Sequence, residues 1–149
     1  MPSPNDTWED GIRAMINTND ENTGTTCDVL VIDDNEDIVR LLTSYLEGKG
    51  IRAKGMTSGT DLADTLVRDQ PRLVLLDVMM PVFNGFALFE SIKKEAARTG
   101  TRVYFISALP ERNLAWYVRT NGAAGYITKP FSMAAIDAVL AETGLLAKR

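Results

Sequence analysis

Histidine is missing altogether from the 149 residues. That excludes a Ser-His-Asp or Cys-His catalytic pair, a His-ligated metal and a phosphohistidine carried by the chain itself. Cysteine occurs once, as Cys27, so no internal disulfide can form. Long apolar runs are also lacking: nothing approaches the roughly 20 residues of a membrane span, and the N-terminus has no basic-then-apolar leader pattern. The expected location is the cytoplasm, with no membrane partner. Excess basic charge is absent too, the formal net charge being −4. The acidity is local. Residues 1–26 hold Asp6, Glu9, Asp10, Asp20 and Glu21 against Arg13 alone, while residues 27–149 carry acids and bases in equal number. Nucleic-acid binding driven by charge is therefore not expected.

What is present is ordinary for one globular domain with a full-sized core: 45% hydrophobic and 24% charged residues. Residues 1–26 stand apart. Asn, Asp and Thr dominate 17–26, which reads as a linker. Before it, Thr7 and Asp10 form a weak capping box, and Trp8, Ile12, Met15 and Ile16 follow helical spacing. A short amphipathic helix is expected there, although Gly11 costs it about 1 kcal/mol relative to Ala. The division is thus an N-terminal extension over 1–26 and a folded domain over 27–149.

From Asp28 onward short apolar runs alternate with helical patterns. Strands are predicted at 28–32, 51–55, 73–76, 102–106 and 124–127, and helices at about 36–48, 59–69, 85–98, 111–121 and 132–142. The first, third and fourth strands are nearly continuously apolar, as when helices cover both faces. The expected fold is α/β: a five-stranded parallel sheet flanked by five helices, doubly wound and flavodoxin-like, with right-handed crossovers. Such sheets bind ligands at the carboxyl ends of their strands.

Four polar sites fall at those ends. Asp33-Asp34 follows the first strand, Asp77 the third, Ser107 the fourth and Lys129 the fifth. Taken singly, an Asp-Asp pair after a strand is most often a turn or helix cap, a Lys-Pro-Phe a loop, and a serine uninformative. Taken together they form a constellation. Three carboxylates in one place repel, and burying them unpaired is costly. A bound divalent cation resolves the conflict, and Mg²⁺ suits a few carboxylates plus water. A lysine and a hydroxyl beside that cation equip the site for phosphoryl transfer, with one carboxylate as the acceptor.

The segments VLVIDDNED (29–37), LVLLDVMMPVFNG (73–85), FISAL (105–109) and GAAGYITKPF (122–131) resemble the receiver domain of two-component response regulators. The resemblance covers about residues 27–143. It implies that Asp77 is the phospho-acceptor, and that Asp33, Asp34, Asp77 and the backbone carbonyl of Met79 bind Mg²⁺, Asp34 directly and Asp33 through water. Lys129, before a cis peptide to Pro130, would pair with the phosphoryl group. Ser107 would hydrogen-bond to it, and Tyr126 would act with Ser107 as a switch. Pro81 and Gly85 would shape the loop after Asp77. The bulk of Met79, two residues past the acceptor, is expected to slow hydrolysis of the phosphorylated form.

A receiver is not an enzyme apart from catalysing its own phosphorylation and slow autodephosphorylation. Lacking histidine, it would take its phosphoryl group from a sensor histidine kinase or a histidine phosphotransfer protein, and would signal by binding a downstream protein. The short stretch Thr143–Arg149 suggests a stand-alone receiver or one cut from a larger regulator. The first helix, with Ile38, Leu41, Leu42 and Tyr45, is the face where the resemblance puts the kinase partner. The fourth places Leu114, Val118 and Asn121 inward and Trp116 outward, as an anchor for a partner or a homodimer. Two other readings compete. One is a receiver-fold interaction module that is never phosphorylated. The other is a phosphatase or phosphotransferase, against which stand the missing second acid at Met79 and the absence of a glycine-rich phosphate loop.

Overall fold

The computed structural model describes residues 27–146. Five strands, β1 (Val29–Ile32), β2 (Ala53–Met56), β3 (Leu73–Asp77), β4 (Arg102–Ser107) and β5 (Gly125–Thr128), alternate with five helices. The helices are α1 (Glu36–Gly48), α2 (Leu62–Asp69), α3 (Gly85–Thr99), α4 (Glu111–Asn121) and α5 (Met133–Glu142). The sheet is wholly parallel in the order β2-β1-β3-β4-β5. This is the expected flavodoxin-like architecture.

The continuous apolar runs are explained by cover on both faces. Every residue of β1 and β3 is buried, and β4 is buried from Val103 onward. Alternate residues point to opposite sides. Leu30, Ile32, Val74, Leu76, Val103 and Phe105 join a cluster with Leu62, Leu66, Phe89, Ile92 and Leu114 of α2, α3 and α4. Val29, Val31, Leu73, Leu75, Tyr104 and Ile106 join one with Leu42, Leu46, Ile136 and Leu140 of α1 and α5. Side-chain caps set the starts of three helices. Asn35 Oδ1 accepts from Asp37 N, Asn84 Oδ1 from Phe86 N, and Ser132 Oγ from Ala135 N.

Two predicted boundaries shift by two residues or more. The second strand begins at Ala53 rather than at residue 51, because the Ile51 amide donates to Leu46 O at 3.1 Å and closes the end of α1 instead of joining the ladder. The second helix begins at Leu62 rather than at residue 59, because Ser58 and Thr60 bond each other through their hydroxyls at 2.8 Å in a bend. On α4, Leu114 is buried while Trp116 is 57% exposed, matching the predicted faces. On α1, Leu42 and Leu46 are buried but Leu41 faces solvent. The predicted N-terminal helix and linker lie outside the described residues. Among the described residues, no helix is long and apolar enough to cross a membrane.

Candidate functional site

Because all strands run one way, their carboxyl ends share one edge of the sheet. Ile32 pairs with Leu76, so Asp33, the next residue after β1, arrives beside Asp77 at the end of β3. Both are buried, at 1% and 3% exposure. Asp34 is exposed. Carboxylate oxygens of all three nevertheless lie within 4.8 Å of one another.

Lys129 closes the group from β5. Its amide donates to Ser107 O at 2.8 Å, and the peptide to Pro130 is cis. Its Nζ donates to Asp33 Oδ2 at 2.9 Å and to Asp77 Oδ1 at 3.4 Å. The Met79 amide also donates to Asp77 Oδ1, at 3.3 Å, while the Met79 side chain is 59% exposed. Ser107 is fully buried at the end of β4, its Oγ accepting from Leu109 N at 3.0 Å.

Three carboxylates now crowd around one ammonium, which Asp33 and Asp77 contact, and the imbalance shows in the acidity of Asp77. Burial, then the charge of Asp33, push the Asp77 carboxyl up to about 6, against the pull of Lys129. Burial draws Lys129 down, but hydrogen bonds and charge from Asp33 and Asp77 outweigh it and hold the lysine above its ordinary value. The donor set is all hard oxygen with room for water, and a divalent cation such as Mg²⁺ fits it.

The loop after Asp77 is held by its own chain. Asn84 forms an isolated bridge with Met79, and Gly85 N donates to Val78 O at 2.8 Å. A Cβ at Gly85 would stand 2.3 Å from Asp77 O and 2.7 Å from Val78 Cα, which only glycine avoids. The loop side chains Pro81, Val82 and Phe83 help line an apolar hollow of about 170 Å³ that opens beside Asp34.

Tyr126, on β5, is partly buried against the α2–α3–α4 face, and its hydroxyl donates to Glu111 Oε2 at 2.8 Å. That bond, which raises the Tyr126 hydroxyl above its ordinary value, was not foreseen. Nor was Tyr117 of α4. Its ring stacks on Phe86 at 3.8 Å, and its hydroxyl donates to Glu90 at 2.8 Å. Tyr117 sits three residues beyond Leu114, on the stripe that also holds Val118 and Asn121, so helical spacing could have found it.

The family model of the response regulator receiver domain matches residues 29–141. The response regulator SaeR of Staphylococcus aureus is 31% identical over 104 residues, which are 70% of this chain and 44% of SaeR. The chain thus spans less than half the length of that curated relative. Among solved structures, the receiver domain of the Francisella response regulator 1452 is 27% identical with a TM-score of 0.67, over 81% of this chain and 96% of that one. The BeF3-activated receiver domain of DrrB, a Thermotoga maritima protein, is 26% identical with a TM-score of 0.67, over 78% and 96% of the two chains.

Proposed function

The chain belongs to the response regulator receiver domain family, and from that premise we propose that it is a phosphorylation-switched signalling module whose acceptor is Asp77. The observation that carries the reading is the carboxylate trio within 4.8 Å under one lysine. Asp33, Asp34, Asp77 and the backbone carbonyl of Met79 would hold Mg²⁺, which neutralises charge on the transferring phosphoryl group. An oxygen of Asp77 attacks the phosphorus of a phosphohistidine on a sensor kinase or phosphotransfer protein. The O–P bond forms as the N–P bond breaks, and the imidazole leaves with that electron pair. Lys129 already touches Asp77 and is ready for a phosphoryl oxygen. The buried Ser107 hydroxyl would turn from Leu109 N toward another, and Tyr126 would answer by leaving Glu111.

The folded unit over 27–149 would then present a changed face to a downstream protein or to a second copy of itself in the cytoplasm, with residues 1–26 as an extension. The folded part carries as many bases as acids, which gives no charge-based case for nucleic acid. The exposed Met79 side chain stands beside the acceptor and would impede water.

Incubation with Mg²⁺ and acetyl phosphate, followed by intact mass, tests the reading. One added phosphoryl group, dependent on Mg²⁺ and lost in Asp77→Asn, is the expected result. An inert wild type would favour a phosphorylation-independent interaction module. Rapid multiple turnover of acetyl phosphate would favour a hydrolase.

A further inference from the structure

Two of the helices that leave the reactive edge start on an asparagine, and each asparagine is tied to a carboxylate of the trio. Asn35 starts α1, and its amide donates to Asp33 Oδ1 at 2.9 Å. Asn84 starts α3 and reaches Asp77 by a longer route, through the isolated antiparallel bridge with Met79. The bond of that bridge runs between the flanking residues, from Gly85 N to Val78 O at 2.8 Å. Met79 and Asn84 therefore oppose each other as a pair whose own N–H and C=O groups turn away from the facing segment. The Met79 amide accordingly meets Asp77 Oδ1 at 3.3 Å, and the Met79 carbonyl is turned to that same side.

The conformation of Asn84 serves two ends at once. Its backbone is extended, at φ −83° and ψ 129°, as the bridge requires. Its Oδ1 accepts from Phe86 N at 2.8 Å and from Ala87 N at 3.3 Å, a cap that needs the same extended backbone. The helix behind it is fixed in place. Gly85 lies too close to Asp77 O and Val78 Cα for a side chain, the Phe86 ring stacks on Tyr117, and Phe89 is buried in the core. A fixed helix end thus holds Asn84, and Asn84 holds Met79. The Asn84 side chain is exposed, so packing does not explain an asparagine there. A plain cap accounts for the bonds to Phe86 and Ala87, but not for the bridge that the capping conformation completes.

On the reading of the trio as the Mg²⁺ site, we propose that Asn84 is a positioning residue for the cation. Through its cap it sets the backbone of Met79, and so the carbonyl that would join Asp33, Asp34 and Asp77 around the ion. Groups one step behind a metal ligand orient that ligand and govern affinity without touching the ion.

Mg²⁺ titrations of the whole chain followed by amide chemical shifts, with urea unfolding in EDTA alongside, separate positioning from plain capping. Asn84→Ala should raise the Mg²⁺ dissociation constant about tenfold, the low end of what such residues contribute. Asn84→Ser, which can cap from the same extended backbone, should return it to within about twofold of the wild type. Ser132→Ala deletes an exposed cap at α5, where Ser132 Oγ accepts from Ala135 N. It should lower the urea midpoint as Asn84→Ala does and leave the dissociation constant unchanged. Three results overturn the proposal: Asn84→Ala binding Mg²⁺ like the wild type, Asn84→Ser binding no better than Asn84→Ala, or Ser132→Ala weakening binding equally. A wild type that takes up no Mg²⁺ overturns the reading of the trio itself and the role of Asn84 with it, whereas the other three results leave the trio intact.

Discussion

Asp69 and Asp77 are both buried aspartates, at opposite ends of the strands, and they are handled in opposite ways. Asp69, at the end of α2, is 1% exposed and meets Lys54 at 2.6 Å and Arg68 at 3.3 Å. Charge there is at least balanced. Asp77 is 3% exposed, yet it shares the single Lys129 with Asp33 while Asp34 stands beside them. A fold selected only for stability has no reason to crowd three carboxylates against one ammonium. The surplus of negative charge, more than burial, separates the reactive edge from the framework edge.

The framework side should break hardest. Lys54→Met removes the nearest cation from a buried carboxylate and leaves Arg68 to hold it. The expected loss is about 3 kcal/mol in urea unfolding, with Mg²⁺ binding unaffected. A loss near zero would mean that the two edges are not the opposites drawn here.

The reactive side should respond to mutation with the other sign. The folded Asp77 carboxyl titrates at about 6, above its ordinary 3.8, so the native state holds that proton more tightly than the unfolded chain. Stability associated with it is fully present below pH about 4 and is lost as pH rises through about 6. In EDTA, Asp77→Asn should therefore match the wild type near pH 4 and exceed it by roughly 2 kcal/mol at pH 7. A difference that stays flat with pH would remove the charge crowding from the explanation. On the proposed role of Asp77 the same variant should abolish phosphorylation, so greater stability and lost activity should arrive together.

This contrast bears on what could be read in advance. The strand ends Asp33, Asp34, Asp77, Ser107 and Lys129 were legible because apolar runs locate strands, parallel strands share an edge, and the residues themselves carry chemistry. The helix starts at Glu36 and Gly85 fell where helical periodicity put them, and the structure adds the caps at Asn35 and Asn84. Asp69 was not legible. A helix-terminal aspartate is ordinarily a solvated residue, and its burial depends on Lys54 reaching across from β2, a long-range pairing with no local pattern. Glu111 escaped for the same reason, since its bond to Tyr126 joins the start of α4 to β5. Gly85 could be placed in the loop, but the reason it must be glycine, the approach of Asp77 O, exists only in three dimensions.

Supplying the missing positive charge should narrow the gap between the two edges. Mg²⁺ at ten times its dissociation constant should raise wild-type stability by about 1.4 kcal/mol. The rise should be much smaller in Asp34→Ala, whose stability in EDTA should barely change because Asp34 is exposed. Equal stabilisation of both proteins by Mg²⁺ would place the cation elsewhere.

The smallest expected effect concerns the link between the reactive edge and the surface. Tyr126→Phe deletes one hydroxyl whose bond to Glu111 is solvent-exposed, worth about 0.5 kcal/mol. On the proposed switch, that bond holds Tyr126 in the conformer that phosphorylation of Asp77 would displace. If Tyr126 changes place when Asp77 is phosphorylated, removing the bond lowers the cost of leaving that conformer, and a phosphoryl analogue must then bind more tightly by the same free energy. Beryllofluoride with Mg²⁺ should accordingly bind Tyr126→Phe about twofold more tightly than the wild type. The Tyr117 hydroxyl donates to Phe86 O and Glu90, linking α4 to the helix that follows the loop after Asp77. Tyr117→Phe should lower stability at least as much and shift beryllofluoride affinity less. An equal shift in both variants would make the loosening of α4, rather than the release of Tyr126, the step coupled to Asp77.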